Sequence, residues 1–448
     1  MPNTIPSLAR NAAFQVLSEV AAGRAAPPSL MHDGATRGLS AADVDLVNEL
    51  VYGVLRWQAA LDHVIESHAR RSATGIDLAL LVALRIGLYQ IRYLSRVPER
   101  AAVDESVKLA HKFGRRGGSK LVNAVLRSIC RQPEQPVMPT KEADALAYLT
   151  VTLSHPEWLA RRYLARMDLP EAEALCLRNN RRPPTDLRVE PPLELETARE
   201  ALSREGITAA PLALLPRCLR VEAGKATSSK LYAQGNIFIQ EAGSQLIPFL
   251  LEASSGDSVL DACAAPGAKT TEIAPWIRPA MMFAVDERPK RLTLMTALAR
   301  RLGSGNLLPI AADSRALPFH RPFSRILLDA PCSSLGTLAR NPDIKWRVRE
   351  EDLAGHAEKQ HQLLEACGSL LSPGGRLVYA TCSSEPEENE EIIARFLSLH
   401  EDFGIAPQGP TFPPAAQKLI RSDGTLRTEP GRDDVDGYFA VTLTRLAG

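Results

Sequence analysis

The chain has 448 residues, 45% of them hydrophobic and 23% charged, and its formal net charge is +1. That length exceeds one ordinary core and, at roughly 150 residues per domain, predicts about three. So even a charge balance excludes bulk basicity as an argument for a nucleic-acid partner, and any basic surface must be local.

The seven cysteines (Cys130, Cys176, Cys218, Cys263, Cys332, Cys367 and Cys382) are scattered and odd in number. They show none of the close spacings of a zinc site or a disulfide scaffold, so reduced thiols in a cytoplasm, without a metal, are expected. Met1 to Arg10 carries no apolar signal core. The longest apolar stretch, Leu78 to Ile91, is too short for a bilayer and is interrupted by Arg85, so no membrane partner is expected.

In chain order, Ser7 to about Arg131 repeats apolar residues at three- and four-residue spacing, as in Ala12, Val16, Leu17 and Val20, which predicts an all-helical region. Gly23 to Gly38 breaks the first helix from the next, and Ser40-Ala-Ala-Asp43 supplies an N-cap. A Pro- and charge-containing stretch, Gln132 to about Lys141, reads as a linker. The following segment combines a helix near Trp158 to Met167 with strands near Leu187 to Val189 and Cys218 to Val221. The expected domains are 1–135 (all-helical), 136–228 (linker and small α+β subdomain) and 229–448 (α/β).

Beyond Gly235, strand-like runs alternate with helices: Ser258–Asp261, Met282–Asp286, Leu307–Ala311, Arg325–Asp329 and Arg376–Ala380, with Tyr438–Leu443 as a closing strand. This predicts a parallel α/β sheet. Four runs end at or near an acid (Asp261, Asp286, Asp313, Asp329), and open α/β sheets bind ligands at the carboxyl ends of their strands.

The loop Asp261-Ala-Cys-Ala-Ala-Pro-Gly-Ala-Lys-Thr-Thr271 has the small residues that let backbone N–H groups approach a nucleotide-like ligand. It is not a phosphate-binding Gly-Lys-Thr loop, because Ala268 separates Gly267 from Lys269. Asp286 stands where a carboxylate would meet ribose hydroxyls, and Asp313 could meet an adenine amino group. Capping of the following helix is the competing reading for either acid. Cys332 and Cys382 each follow a strand beside turn residues, unlike Cys130, Cys176, Cys218 and Cys367, which read as small core residues. Asp329 could hold a base edge beside them. A neighbouring carboxylate raises a thiol pKa, so a thiolate here needs compensating donors that the sequence does not identify.

Several ordered motifs then coincide: Cys263-Ala-Ala-Pro-Gly-Ala-Lys-Thr-Thr271, Leu328-Asp-Ala-Pro-Cys-Ser-Ser-Leu-Gly336, Asn341-Pro-Asp-Ile-Lys-Trp346, Pro373-Gly-Gly-Arg-Leu-Val-Tyr-Ala-Thr-Cys-Ser383 and Pro386-Glu-Glu-Asn-Glu390. Together they resemble the RNA 5-methylcytosine methyltransferases that use S-adenosylmethionine. The N-terminal region resembles the NusB-type RNA-binding domain through Asn48-Glu-Leu-Val-Tyr-Gly-Val-Leu-Arg-Trp57, Ala102-Val-Asp-Glu-Ser-Val107 and Lys120-Leu-Val-Asn-Ala-Val-Leu-Arg127. The combination is similar to the RsmB (Fmu, Sun) family, which methylates a cytosine in 16S ribosomal RNA.

That resemblance implies a Rossmann-like methyltransferase sheet preceded by a NusB-like bundle and the small subdomain. It implies Cys382 as the nucleophile on cytosine C6, Cys332 as the group promoting loss of the C5 proton and release of Cys382, and Asp329 on the base edge. Cys263, Ala264, Ala265, Pro266, Gly267, Ala268 and Lys269, with Asp286, Asp313 and Asp329, would hold S-adenosylmethionine. The family has Gly-Gly where this chain has Gly267-Ala268, and an alanine forced to positive φ would cost about 1 kcal/mol. A tRNA cytosine methyltransferase and a non-catalytic RNA-binding or antitermination protein are the alternatives.

A stacked base hides C5 and C6, so the target must be single-stranded or flipped and held through its phosphates. Arg70-Arg71, Lys108, Lys112, Arg115-Arg116, Lys120 and Arg127 are the helical region's basic candidates, with Lys112 to Lys120 the foremost.

Overall fold

The computed structural model describes residues 5–24 and 27–446. The first four residues of the Met1–Arg10 stretch and two residues of the Gly23–Gly38 break lie outside the described residues. The chain packs as two compact units: Met1–Arg181 with Leu338–Glu350, and Arg182–Thr337 with Glu351–Gly448.

The first unit is helical. Its helix Leu78–Tyr93 is apolar nearly all round, and every residue from Leu80 to Gln90 is buried, as a helix without a polar face must be. Arg85 is accommodated by a two-pronged ion pair with Asp62, both contacts at 2.7 Å. A Cβ on Gly87 would lie 2.5 Å from Ser106 Oγ and 2.6 Å from Leu126 Cδ1, so the helices Glu99–Phe113 and Gly118–Arg131 approach only because this position has no side chain. Ser40 caps the helix Ala41–Arg56, accepting from the Asp43 N–H at 3.2 Å.

The segment Leu338–Glu350 belongs to this unit and is held by polar contacts. Lys345 is 1% exposed, and its Nζ donates to the Arg56 carbonyl at 2.8 Å, the Ser154 carbonyl at 2.9 Å and Asn180 Oδ1 at 2.9 Å. Trp346 Nε1 donates to the Leu55 carbonyl at 2.7 Å. Burial lowers the Lys345 pKa to about 7, yet three acceptors match the three protons of the ammonium. Replacing Lys345 by Met should keep the stem and orphan three buried oxygens, a loss of about 3 kcal/mol. The unfolding midpoint in urea should fall accordingly, and an unchanged midpoint would show that the ammonium contributes no stability.

The second unit holds two sheets. Strands β1 (Thr185–Val189), β2 (Thr208–Pro211), β3 (Cys218–Ala223) and β4 (Ile237–Ile239) form an antiparallel sheet in the order β2-β3-β1-β4. Along β1, Leu187 and Val189 enter a core with Leu202, Leu219 and Ile237. The alternate residues are polar but equally buried. Asp186 pairs with Arg220 at 2.7 Å, and Arg188 donates to the Ala268 carbonyl at 2.8 Å and Glu190 at 2.7 Å, with Glu272 Oε2 and Thr271 Oγ1 each at 3.2 Å. The small sheet thereby braces the helix Ala268–Ile273 of the larger fold.

The large sheet comprises β5 (Val259–Asp261), β6 (Met282–Asp286), β7 (Leu307–Ala311), β8 (Phe323–Asp329), β9 (Leu371–Thr381), β10 (Phe403–Ile405), β11 (Leu426–Arg427) and β12 (Phe439–Arg445). Its order is β10-β12-β9-β8-β5-β6-β7, with β11 paired to β12. The strands from β7 through β9 in that order are parallel, β12 pairs antiparallel with β9, and β10 pairs antiparallel with β12. Strand alternation divides the core. Val259, Leu327 and Val378 pack with Leu246 and Leu250 on one face, and Leu260, Leu328 and Tyr379 with Leu364 and Phe396 on the other. After β5 the chain builds β6 and β7 on one side and then returns to build β8 on the other, which leaves a crevice beyond the carboxyl ends of β5 and β8. No helix among the described residues is long and apolar enough to cross a membrane. No group of three or more potential metal ligands occurs among them.

Candidate active site

The loop after β5 turns into the helix Ala268–Ile273 at Gly267, whose φ is +104°. A Cβ there would stand 2.5 Å from Met295 Cγ, so glycine is needed for conformation and space together. Ala268 is already helical and absent from the positive-φ residues, so the departure from Gly-Gly carries no backbone strain. The Ala264 N–H donates to the Val285 carbonyl at 2.8 Å, and Thr270 Oγ1 to Asp261 Oδ2 at 2.7 Å. Burial lifts the Asp261 carboxyl to about 7. Cys263 lines the core beneath the loop, where burial pushes its thiol well up.

Asp286 and Asp313 both make capping turns. Asp286 Oδ1 accepts from the Arg288 N–H at 2.9 Å, and Asp313 Oδ1 from the Arg315 N–H at 2.9 Å. Their surroundings then differ. Asp286 is buried and meets Arg291 at 3.1 Å, and Arg291 also donates to the Ala265 carbonyl, tying β6 to the loop. Asp313 is half-exposed, and its hydrogen bonds with Arg315 hold it at about 2.

The two cysteines converge. Cys332 lies three residues beyond the end of β8 and Cys382 one residue beyond β9, and their sulfurs are 3.4 Å apart. Ser334 has the left-handed φ of +62°, unusual for a residue with a side chain, and its Oγ lies 3.3 Å from Cys382 Sγ but 4.0 Å from Cys332 Sγ. Lys269 Nζ donates to Asp329 Oδ2 at 2.6 Å and lies 5.7 Å from the centre of the Tyr438 ring. Burial disfavours the ammonium, but Asp329 outweighs it and the Lys269 pKa is raised.

This setting separates the two thiols. Hydrogen bonding from Cys332, then from Ser334, and the Lys269 charge lower the Cys382 pKa against the opposing effects of burial and Asp329. Cys332 is pushed well up, first by its hydrogen bond to Cys382 and then by burial. The donors missing from the sequence reading are therefore Cys332, Ser334 and Lys269. Arg291 and Ser334 could not be singled out from sequence, since each acts through a contact made by folding. Glu388 and Gln360, behind the sulfurs, were likewise unassigned, although Glu388 sits inside one of the quoted motifs.

In the first unit, some of the basic candidates are engaged by neighbouring side chains. Lys108 meets Asp104 at 2.8 Å and Glu105 at 3.0 Å, Arg115 meets Asp77 at 3.2 Å, and Lys112 donates to Asn11 Oδ1 at 2.7 Å. Arg116 and Lys120 are exposed.

Iodoacetamide should label Cys382 before Cys332, with a rate–pH midpoint below that of an ordinary thiol. Ser334→Ala should move that midpoint up by about half a pH unit or more as one donor is lost. Peptide mass spectrometry over a pH series checks both, and equal labelling of the two sulfurs would contradict the asymmetry.

Comparison with known proteins gives matches along the chain. Residues 248–444 match the family model "16S rRNA methyltransferase RsmB/F", 7–131 the NusB family, and 155–228 the ferredoxin-like domain of RsmF/B-like methyltransferases. The chain is 35% identical over 419 residues to a probable ribosomal RNA small subunit methyltransferase B of Synechocystis sp., covering 91% of this chain and 92% of that protein. It is 33% identical to the ribosomal RNA small subunit methyltransferase B of Cronobacter sakazakii, covering 98% of each. Among solved structures, a methyltransferase homolog protein from Pyrococcus horikoshii is 27% identical with a TM-score of 0.58, over 67% of this chain and 99% of that one.

Proposed function

The chain belongs to the 16S rRNA methyltransferase family RsmB/F, and on that premise we propose that it methylates C5 of a cytosine in small-subunit ribosomal RNA through a transient bond between Cys382 and C6 of the base. The observation that carries this reading is the pair of sulfurs 3.4 Å apart with opposite pKa directions, one suited to attack and the other to keep its proton. A scaffold without catalysis would need neither the contact nor the asymmetry. The cytoplasm, where ribosomal RNA is processed in bacteria, is the compartment this reading implies.

The donor set at the strand ends suits S-adenosylmethionine. Asp286 offers acceptors for vicinal hydroxyls, small loop residues at Ala264, Ala265 and Gly267 permit close backbone approach, and Asp313 is accessible for a further polar contact. When bound, this cofactor supplies an electrophilic methyl group. Cys263 to Lys269, Asp286 and Asp313 would hold it, with Asp329 at the boundary between cofactor and base.

The protein's own part is covalent and acid–base chemistry. Cys382 sulfur bonds to C6 and the C5–C6 π pair moves onto the ring, which makes C5 nucleophilic. Asp329, oriented by Lys269, hydrogen-bonds the base's polar edge while that charge develops. Afterwards Cys332 promotes loss of the C5 proton, the ring double bond re-forms, and the C6–S bond breaks to return Cys382.

Cys382→Ala should lower methyl transfer by about a thousandfold or more and form no protein–RNA adduct. Cys332→Ala should accumulate an adduct that survives denaturing electrophoresis, and an adduct formed by Cys382→Ala instead would reverse the two roles. Bisulfite mapping of RNA from a deletion strain should lose one signal in 16S rRNA. Loss confined to tRNA would replace the substrate.

A further inference from the structure

We propose that Glu388 is a positioning residue of this site, a buried carboxylate that ties the loop bearing Cys332 to the loop bearing Cys382 and so fixes the two sulfurs at reacting distance. This rests on the cysteine reading given under Proposed function. Glu388 is fully buried. Its Oε1 accepts from the Ser333 N–H at 2.8 Å and from Gln360 Nε2 at 3.0 Å. Its Oε2 accepts from Ser333 Oγ at 2.5 Å and from Ser383 Oγ, and the two serine oxygens are themselves 3.1 Å apart. Ser333 and Ser383 each directly follow a reacting cysteine.

Two further contacts stiffen the arrangement. Gln360 Nε2 also donates to the Pro331 carbonyl at 3.0 Å, and Tyr379 Oη donates to the Glu388 carbonyl at 2.6 Å. All the hydrogen-bond partners of the carboxylate are neutral. A buried carboxylate without a cation is costly even when fully hydrogen-bonded, and an amide could satisfy the same geometry, so packing alone does not explain an acid here. Its charge does have a target. After the hydrogen bond to Cys382 and burial, Glu388 is among the groups that raise the Cys332 pKa. The same residue therefore places Cys332 and adds to the rise of its pKa.

Glu388→Gln preserves the shape and, because serine hydroxyls can donate or accept, most of the hydrogen bonds, while removing the charge. In a Cys382→Ser background, the alkylation midpoint of Cys332 should drop by about one pH unit when Glu388→Gln is added. In the otherwise native enzyme, Glu388→Gln should lower kcat at least about tenfold with KM for RNA and cofactor unchanged. Ser333→Ala with Ser383→Ala, which cuts the tie but leaves the acid, should also lower kcat at constant KM. A wild-type midpoint or a wild-type kcat in Glu388→Gln would overturn the proposal. Alkylation does not depend on turnover, so the two ideas fail separately. An active Cys382→Ala enzyme sinks the cysteine reading, whereas normal cysteine-variant behaviour with an inert Glu388→Gln sinks only this one.

Discussion

The site depends on the register of three parallel strands. Asp329 of β8 faces Ala380 of β9, and Asp261 of β5 faces Leu327 of β8. From that alignment the chain has only three residues to reach Cys332 and two to reach Cys382, so neither sulfur can wander far. Backbone pairing continues past the strands, with the Ala330 N–H on the Ala380 carbonyl at 2.8 Å and the Gly336 N–H on the Cys382 carbonyl at 2.9 Å. A one-residue slip between β8 and β9 would send every alternate side chain to the opposite face and bury or expose the wrong groups. The alternating cores on either side, Leu327 and Val378 against Leu328 and Tyr379, are what forbid the slip.

The loop between β5 and the helix Ala268–Ile273 is held from its other side by charge. Arg188 is buried in a central strand of the small sheet, and its guanidinium takes the Ala268 carbonyl, Glu190, Glu272 and Gln240 at once. Burial is the larger effect on Glu272, lifting its carboxyl to about 7 despite the adjacent arginine. Such a cluster adds little net stability, because desolvation offsets most of the attraction. Its value lies in direction. A planar guanidinium with fixed donors sets where the first turn of the helix Ala268–Ile273 begins, and hence where Gly267 must make its turn.

Apolar strands were legible in the sequence as continuous apolar runs, most of them buried on both faces, although β7 is partly exposed. The limits expected for β6 and β7 match those of the fold, and β8 and β9 are found within longer strands. Strands β2, β4, β10 and β11 have four, three, three and two residues, too few to show a clear alternation, and the sequence does not reveal them. The acids at strand ends and the cysteines after them were visible because topology alone places such residues at the ligand edge. What was hidden are partners that folding brings from afar. Lys345 draws its acceptors from 165, 191 and 289 positions away, and Glu388 reaches Ser333 across 55. The electrostatic problem of Asp329 beside the thiols is visible in the sequence, but its solution, through Cys332, Ser334 and Lys269, is a matter of ångströms.

The asymmetry between the sulfurs also sets an order of events. The Cys332 pKa is raised chiefly by its hydrogen bond to Cys382, a cause that holds only while the Cys382 sulfur is not bonded to carbon. In the proposed reaction the Cys382 sulfur would bond to carbon, and the first cause of the raised Cys332 pKa would go with that step. Under that proposal Cys332 would become the better base only after the attack, when a proton must leave C5. Ser334, closer to Cys382 than to Cys332, helps lower the Cys382 pKa, and in the proposed reaction it would be released once that sulfur bonds to carbon. Two thiols of one chemical type can therefore act in sequence without any rearrangement of the backbone, because forming the first bond itself changes the field in which the second thiol titrates.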